Sequence, residues 1–402
     1  MPDTLERDQT ELGLIMALGA QLVATRGYSS ADVEQTYTRA RQLCKVLIEQ
    51  SDDARQAASQ MIPVLIGLGA FYGHQARYQT ACDIYDQIFA LARSSGDPEA
   101  MMLADWGPGY LLVHMGEFLS ARSHLEKALE AYEPQKHQRL ITVFTLDMGV
   151  SCLSWLSWVL FFLGYPDQAL QRSGEAIALA RQISHPFSFA VALAVATTLH
   201  VYALDVEGTR ELAEEAIEIC RQKGFTFWFG VASAFRGLAL AWRGEYHGGI
   251  SLMREGERVW RASGAVIGLP EYLIVLAEVL GYAGHVEKGL GALEEAFEML
   301  NKSGETMYLA ELHRIKGDLL LKHLNENQAE AEACYREAIE IARMQEAKTL
   351  ELRATTSLSS LLSKQGRRDE ARKILVEIYR WFTEGFQTQD YKSASSLLKE
   401  LS

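Results

Sequence analysis

One short pattern recurs along the chain and constrains its fold more than any other feature. It consists of a Gly, an aromatic, apolar or long side chain two residues later, and an Ala or Gly three residues after that, and the clear copies begin at Gly116, Gly164, Gly244, Gly284 and Gly366. A Gly can end a helix in the left-handed conformation, and a small residue early in the following helix lets two helix axes approach closely. The pattern therefore predicts helix hairpins.

The spacing of the copies predicts a repeat protein. The residues that anchor the clear and weaker copies are 40 to 48 positions apart, at Val33, Ala81, Ala121, Ala169, Thr209, Gly249, Gly289, Ala331 and Ala371. The motif is typical of a tetratricopeptide repeat, although the period exceeds the usual length of about 34 residues and overlaps the roughly 40 to 47 of HEAT and armadillo arrays. We expect an all-α fold, a right-handed superhelical solenoid of about nine tetratricopeptide-like hairpins with a period near 40 residues.

The chain is expected to form one continuous solenoid over residues 1–402. No linker rich in Pro, Gly or Ser divides it, and only 8 of the 402 residues are Pro, which favours helix throughout. The longer steps of the repeat predict two insertions, at 51–57 and 132–140. Polar residues at 379–402 are predicted to cap the last hairpin.

Composition and charge exclude several functional classes. A net charge of −13 opposes direct binding to nucleic acid or to an anionic membrane, because both need clustered Lys and Arg. The five cysteines lie far apart without metal-ligand spacing, which is typical of reduced thiols and predicts a cytoplasmic protein. The longest apolar stretch, 152–163, is too short to span a bilayer, so we expect a buried helix.

The sequence contains no motif for catalysis, for a metal or for a cofactor. Walker, HExxH, GxSxG, kinase and zinc-site patterns are all missing. The run from Gly67 to Gly73 superficially resembles a dinucleotide loop, but its spacing is wrong and Gly69 is explained as a packing residue. We therefore expect a protein that is not an enzyme.

The repeat also predicts a ladder of side chains on the concave surface, where the first helices of such hairpins usually bind partners. Positions five residues after the small residue of each first helix, with neighbouring aromatic residues, give a predicted partner-binding set of His74, Trp106, Tyr110, His114, Trp158, Phe162, Tyr202, Trp242, Tyr282 and Lys322. Lys364 continues the ladder. The alternative is that these rings only fill the seam between neighbouring first helices.

Several segments resemble one bacterial family. The strongest are 308–321 (YLAELHRIKGDLLL), 331–343 (AEACYREAIEIAR), 348–358 (KTLELRATTSL) and 381–386 (WFTEGF), with 223–228, 185–188 and 18–28 extending the similarity over nearly the whole chain. They are similar to the C-terminal tetratricopeptide region of proteins that join a class III adenylate or guanylate cyclase domain to a STAND-type or AAA-like ATPase. Gln389 and Tyr391 depart from the family pattern, and neither cyclase carboxylates nor an ATPase P-loop are present. The resemblance implies a sensor or scaffold that regulates a partner, either as a free-standing protein or as part of a larger one.

Two functional hypotheses remain open on the sequence. The first is an interaction scaffold that binds a protein or peptide partner in its concave groove. The second is a receptor for a small signalling molecule or short peptide that regulates a partner. A homo-oligomer is compatible with both.

Overall fold

The computed structural model of the chain describes residues 5–51, 60–323 and 327–402. Within these ranges the chain is helical and contains no strand, which confirms the predicted all-α class. Most of the insertion predicted at 51–57 lies outside the described residues.

The described helices form nine antiparallel hairpins, two single-turn helices between the third and fourth hairpins, and one additional C-terminal helix. The hairpins pair α1 with α2, α3 with α4, α5 with α6, and then each later odd-numbered helix from α9 to α19 with the helix that follows it. Their bounds are α1 Leu5–Arg26, α2 Ala31–Glu49, α3 Met61–His74, α4 Tyr78–Ser95, α5 Pro98–His114, α6 Phe118–Ala131, α7 Pro134–His137, α8 Ile141–Phe144, α9 Met148–Phe162, α10 Pro166–Ile183, α11 Pro186–Tyr202, α12 Val206–Lys223, α13 Thr226–Trp242, α14 Tyr246–Ala262, α15 Leu269–Tyr282, α16 Val286–Ser303, α17 Leu309–His323, α18 Gln328–Met344, α19 Lys348–Lys364, α20 Arg368–Tyr379 and α21 Gln389–Glu400.

In every hairpin whose turn lies within the described residues, the turn contains a residue with a positive φ angle. Gly116 has φ 73°, Gly244 has φ 91° and Gly284 has φ 80°. Where the repeat has no Gly at this position, Ala76 and Leu204 adopt the same region, with φ 56° and 57°. The weaker copies therefore make the same turn, at the cost that a side chain carries in this region.

The two helices of a hairpin approach most closely between α13 and α14. Gly249 and Gly256 of α14 face Gly237 and Gly230 of α13, and a Cβ atom added at Gly256 would lie 2.4 Å from the backbone nitrogen of Ala234. The small residues of the repeat therefore bring backbone against backbone, as the motif predicts.

The insertion predicted at 132–140 forms a short irregular segment. After α6 the chain makes the single turn α7, a 3₁₀ turn at Gln138–Leu140 and the single turn α8, and then begins α9. The Thr145 hydroxyl at the end of this segment donates a hydrogen bond to the carbonyl of Ala20, 2.7 Å away in α1. The extra residues thus connect the third hairpin to the N-terminal helix.

Successive turns of the superhelix lie directly against each other. The carbonyl of His74 accepts hydrogen bonds from the amides of Val266 and Ile267 at 2.8 and 3.1 Å, and the carbonyl of His114 accepts two at 3.1 Å from residues 306 and 307. Both acceptors end first helices. The turns are therefore joined through the C-terminal ends of the helices that line the inside.

The contact between successive turns continues along the chain. In the next two contacts the bonded residues are separated by a similar number of positions in the sequence. The Thr306 hydroxyl bonds to the carbonyl of Met115 across 191 residues, and the Thr349 hydroxyl bonds to the carbonyl of Phe161 across 188 residues. Farther on the separation is shorter, and the guanidinium of Arg353 donates to the carbonyl of Tyr202 at 2.6 Å across 151 residues. The superhelix is therefore closed on its inner side along this line.

The hairpin loops of the two halves differ in what surrounds them. A Cβ atom at Gly116 would lie 2.4 Å from the Gln345 side chain, and one at Gly164 would lie 2.5 Å from Trp381. A Cβ atom at the equivalent loop residues Gly244, Gly284 and Gly366 would have no neighbour within 4 Å. We call the second set of loops the open edge of the superhelix.

No single helix in the described ranges is both long and apolar enough to cross a membrane. Together, the segments Pro134–Phe144 and Met148–Phe162 have the length and apolar composition of a membrane span, and the chain bends by 88° between them.

Candidate binding sites on the inner side and open edge

The first helices of the central hairpins are buried on all sides. Every residue of α9 is buried, as are all but three residues of α11, and both helices are apolar around their whole circumference. A helix with this pattern belongs inside a protein rather than on a surface. The inner side of the superhelix is therefore a packed core in this region.

Two predicted ladder residues lie wholly inside this core, so the expectation of an open concave groove needs correction here. Phe162 and Tyr202 are each 0% exposed. Their ring centroids are 4.9 Å apart, and Phe162 also stacks on Phe118 at 4.8 Å. The next superhelical turn covers them, because Arg353 reaches the carbonyl of Tyr202. Contacts between distant turns cannot be read from a local repeat.

Five other predicted residues surround two internal cavities that adjoin each other. The larger cavity has a volume of about 60 Å³ and its wall includes His74, Trp106 and Tyr110. The smaller has a volume of about 40 Å³ and its wall includes His74, His114 and Trp158. The structure thus brings these predicted residues together around two small cavities lined by buried side chains rather than along a wide groove.

The histidines of the cavity walls are held in different ways. Burial lowers the pKa of His74 to about 3, so its ring is neutral. That ring stacks on Tyr28 at 3.9 Å, and its Nδ1 lies 2.8 Å from the carbonyl oxygen of Ala70. His114 instead places Nδ1 3.4 Å from Glu305 Oε1, and the Tyr78 hydroxyl donates to the other oxygen of Glu305 at 3.0 Å.

A second buried acid lies in the wall of the smaller cavity. Glu271 is 2% exposed, and desolvation raises the pKa of its carboxyl to about 8, an effect that the neighbouring Tyr202 hydroxyl partly opposes. None of the Lys and Arg residues in the described ranges forms an ion pair with Glu271 or Glu305. Burial of acids without a counterion is costly unless something else compensates.

The last three predicted residues lie at the open edge, where α13, α15 and α17 end. Trp242 is half-buried, whereas the Tyr282 side chain is 51% exposed and Lys322 is exposed. The Lys322 ammonium lies 3.7 Å from the centroid of the Tyr282 ring, a cation–π contact. Trp242 and Tyr282 remain accessible because a Cβ atom added at Gly244 or Gly284, in the loops that follow them, would have no neighbour within 4 Å.

A groove of about 680 Å³ runs beside these residues, between the hairpins α13–α14 and α15–α16. Its floor includes Tyr246, Ile250 and Leu280, and its rim carries basic or titratable side chains. Arg254 and Lys288 on this rim are exposed, and neither forms an ion pair with any of the acids in the described ranges. The groove is therefore locally basic on a strongly acidic chain.

Sequence reasoning missed the acids of the core and the cations of the groove. Glu271 follows Pro270 near the start of α15, where an acid is ordinary because it favours the positive end of a helix. Arg254 and Lys288 belong to second helices, whereas the ladder was built from first helices only. The signal for Glu271 was the apolar run that follows it, which predicts burial of the whole helix.

Comparison with known proteins supports the fold. No family model matches the chain. An uncharacterized protein of Rhizobium meliloti (strain 1021) is 24% identical over 364 residues, which cover 90% of this chain but 34% of that protein. The chain thus spans about a third of the length of the curated relative that it matches.

Solved structures with the same fold include a Rap protein and NprR. A Rap protein complexed with competence and sporulation factor has a TM-score of 0.64 and 11% identity, over 98% of this chain and 99% of that chain. NprR in complex with its cognate peptide NprX has a TM-score of 0.56 and 10% identity, over 98% and 99%. At such low identity these likenesses show the fold alone, and they confirm the predicted superhelical array of tetratricopeptide-like hairpins.

Proposed function

We propose that this chain is a non-catalytic regulatory module that binds a protein or peptide partner at the open edge of its superhelix. One observation carries the proposal. The ladder that the repeat predicts is covered by the next turn at Phe162 and Tyr202, whereas it stays accessible at Trp242, Tyr282 and Lys322. The accessible part combines large aromatic surface with the basic groove.

The chemistry of the edge indicates the partner. Aromatic side chains provide much of the binding energy in protein interfaces, and Tyr282 and Tyr246 offer such surface beside the groove. Arg254 and Lys288 have no acidic partner in the described ranges, so a carboxylate of a bound segment would form ion pairs with them. We infer an acidic peptide segment with apolar side chains, either extended or helical.

Two further considerations support a regulatory role. NprR, which shares the fold, was solved with a peptide bound. The resemblance to the helical arms of cyclase–ATPase proteins extends the proposal, because the partner would then be an enzyme whose activity the arm regulates.

The proposal is tested by affinity capture with quantitative mass spectrometry from cells of the native host. Baits are the wild-type chain, Tyr282→Ala, Trp242→Ala and Arg254→Glu combined with Lys288→Glu. We expect one or more proteins to be retained by the wild type and reduced at least about tenfold on the charge-reversed bait, because paired charges in an interface commonly contribute one or more kcal/mol. Direct binding is then measured with a synthetic peptide from the captured protein.

The matched control is Arg258→Glu, which reverses a charge on the same helix outside the groove. Its side chain is 78% exposed. This bait should retain the partner at the wild-type level, and thermal unfolding should show that every bait is folded. Partners that bind all baits equally would exclude the open edge as the interface.

A further inference from the structure

The smaller internal cavity contains four polar atoms that form no hydrogen bond of normal geometry in the described structure, although the hydroxyls of Tyr202 and Tyr28 lie near two of them, on Glu271 and Trp228. The four atoms belong to side chains that are at least 94% buried, and they are His114 Nε2, Trp228 Nε1, Trp260 Nε1 and Glu271 Oε1. All four side chains line this one cavity of about 40 Å³. Buried polar atoms in native proteins are nearly always satisfied, so four around one space indicate a polar guest.

The tautomer of His114 defines what the guest must offer. Its Nδ1 faces the carboxylate of Glu305 at 3.4 Å, so in the neutral ring the proton lies on Nδ1 and Nε2 is an acceptor. Glu271 adds a second acceptor. A guest that satisfies both atoms must therefore donate hydrogen bonds.

The charges around the cavity indicate that the guest is a cation. Two carboxyl groups, Glu271 and Glu305, lie within or directly behind its wall, and each is 2% exposed. The wall contains no Lys or Arg side chain among the described residues. Glu271 is protonated near neutral pH in the chain alone, because burial raises its pKa to about 8, and a cation placed here would favour its ionised form.

The rest of the wall is aromatic. Four of the chain's seven Trp residues line the cavity, and their faces and edges meet closely, with 4.8 Å between the centroids of Trp155 and Trp158. Phe227 lies 4.7 Å from Trp228 and 5.9 Å from Trp260. A cage of aromatic faces attracts organic cations through the negative potential of the rings.

We propose that this cavity binds a small organic ammonium ion, with its N–H groups directed to Glu271 and His114 and its alkyl part against the indole rings. The two indole N–H groups would be satisfied by water or by a hydroxyl of the guest. The site is separate from the open edge, so it does not depend on the partner proposed above.

The way into the cavity lies at the contact between superhelical turns. Ile267 and Gly268 belong to the cavity wall, and the amide of Ile267 is one of the two that bind the carbonyl of His74. Separation of the turns at this point would open the cavity to solvent. The small volume favours a guest of a few heavy atoms.

The test uses n-propylammonium chloride as the probe, with 1-propanol plus potassium chloride at equal ionic strength as the neutral control. Tryptophan fluorescence and the thermal unfolding midpoint of the full chain are followed as the probe concentration rises. We expect a saturable fluorescence change and a rising midpoint with n-propylammonium and neither with the control. Equal responses to the ammonium and the alcohol, or no saturable response, would overturn the proposal.

Variants locate the site. Glu271→Gln keeps the shape of the side chain and should weaken n-propylammonium binding at least about tenfold. Glu255→Gln makes the same change at a side chain that is 63% exposed on α14 and should bind as the wild type does. Unchanged affinity in folded Glu271→Gln would place any bound ammonium elsewhere. If Glu271→Gln does not fold, the comparison of n-propylammonium with 1-propanol on the wild type still tests whether the chain binds an ammonium ion.

Discussion

Glu271 illustrates how the superhelical environment changes the chemistry of a single side chain. The carboxyl ordinarily titrates near pH 4.5, but burial raises its pKa to about 8 in the folded chain. Between these two values the unfolded chain releases the proton while the folded chain keeps it. Stability contributed by this group is therefore highest at low pH and falls as the pH rises from about 4.5 to 8.

This linkage leads to a prediction for Glu271→Gln. The variant cannot ionise, so it should be more stable than the wild type at pH 9 by an amount on the order of 2–4 kcal/mol, and the difference should shrink towards pH 5. Urea unfolding between pH 5 and 9 measures it, with Glu255→Gln as the control for the same change at an exposed site. Parallel pH curves for wild type and Glu271→Gln would mean that the carboxyl is not buried in a neutral form.

At the scale of residues, the sequence predicted part of the internal site. His74, His114 and Trp158 were found because they follow the repeat, and the repeat records which helix face points inward. Glu305 does not follow the repeat, and Glu271, which Glu311 repeats 40 positions later, was overlooked because an acid near a helix start is ordinary in any sequence. Their importance depends on which side chains surround them, and those come from hairpins far away in sequence.

At the scale of elements, the hairpin α13–α14 shows why the repeat keeps small residues. Gly248 and Gly249 are neighbours in α14, yet their surroundings differ. A Cβ atom at Gly249 would lie 2.7 Å from the carbonyl oxygen of Gly237, whereas one at Gly248 would have no neighbour within 4 Å. Gly248 therefore tolerates a side chain without a shift of the backbone, whereas Gly249 does not.

The pair provides a direct comparison of packing with helix propensity. Gly249→Ala should lower the free energy of unfolding by about 1–3 kcal/mol, because the added methyl group meets backbone atoms that cannot turn away. Gly248→Ala should raise it by about 0.5–1 kcal/mol, since Ala favours helix over Gly. Thermal and urea unfolding of both variants check the signs. Equal effects of the two substitutions would show that the predicted helix register is wrong.

The elements themselves were largely predictable. The repeat of about 40 residues predicted the number of hairpins and the positions of the turns, because Gly residues mark the turns and small residues mark the paired helices. The segment at 132–140 was predicted as a polar connection, but its short helices α7 and α8 were not, because single turns depend on the surrounding packing.

At the scale of the whole molecule, Arg353 connects three distant parts of the chain. Its guanidinium makes two hydrogen bonds to the carboxylate of Asp390, at 2.8 and 2.7 Å, and a third to the carbonyl of Tyr202. It also lies 3.4 Å from Glu311. Surrounding acids raise its pKa above the ordinary value despite burial, so it remains charged. The group therefore joins two superhelical turns to the C-terminal helix α21.

Loss of this group should loosen the contact between turns. Arg353→Met leaves the buried carboxylate of Asp390 unpaired, whereas Glu311 keeps its pair with Arg314, and we expect a loss of about 3–5 kcal/mol in the free energy of unfolding. Hydrogen exchange should also become faster near residues 202–204. Arg336→Met is the control, because the ion pairs of Arg336 are exposed and should be worth less than about 1 kcal/mol. Similar losses in the two variants would argue against a special role for Arg353.

The closure of the superhelix is what the sequence could not predict. A repeat describes contacts between neighbouring units, whereas the carbonyl of Met115 meets Thr306 across 191 residues. Such a contact depends on the small rotation between each hairpin and the next, added over all the hairpins that separate the two residues. No single residue determines the total rotation. The predicted open groove was therefore wrong for Phe162 and Tyr202.

The offset of 188 to 191 residues between touching turns also limits how this protein can evolve. An open array of repeats can lose or duplicate a unit and keep the contacts of every other unit, so such arrays vary freely in length. Here the loss of one unit between Met115 and Thr306 would align each loop with the wrong partner along the whole line of contact. Changes in unit number should therefore be confined to the two ends, and related chains should differ in length there rather than in the middle.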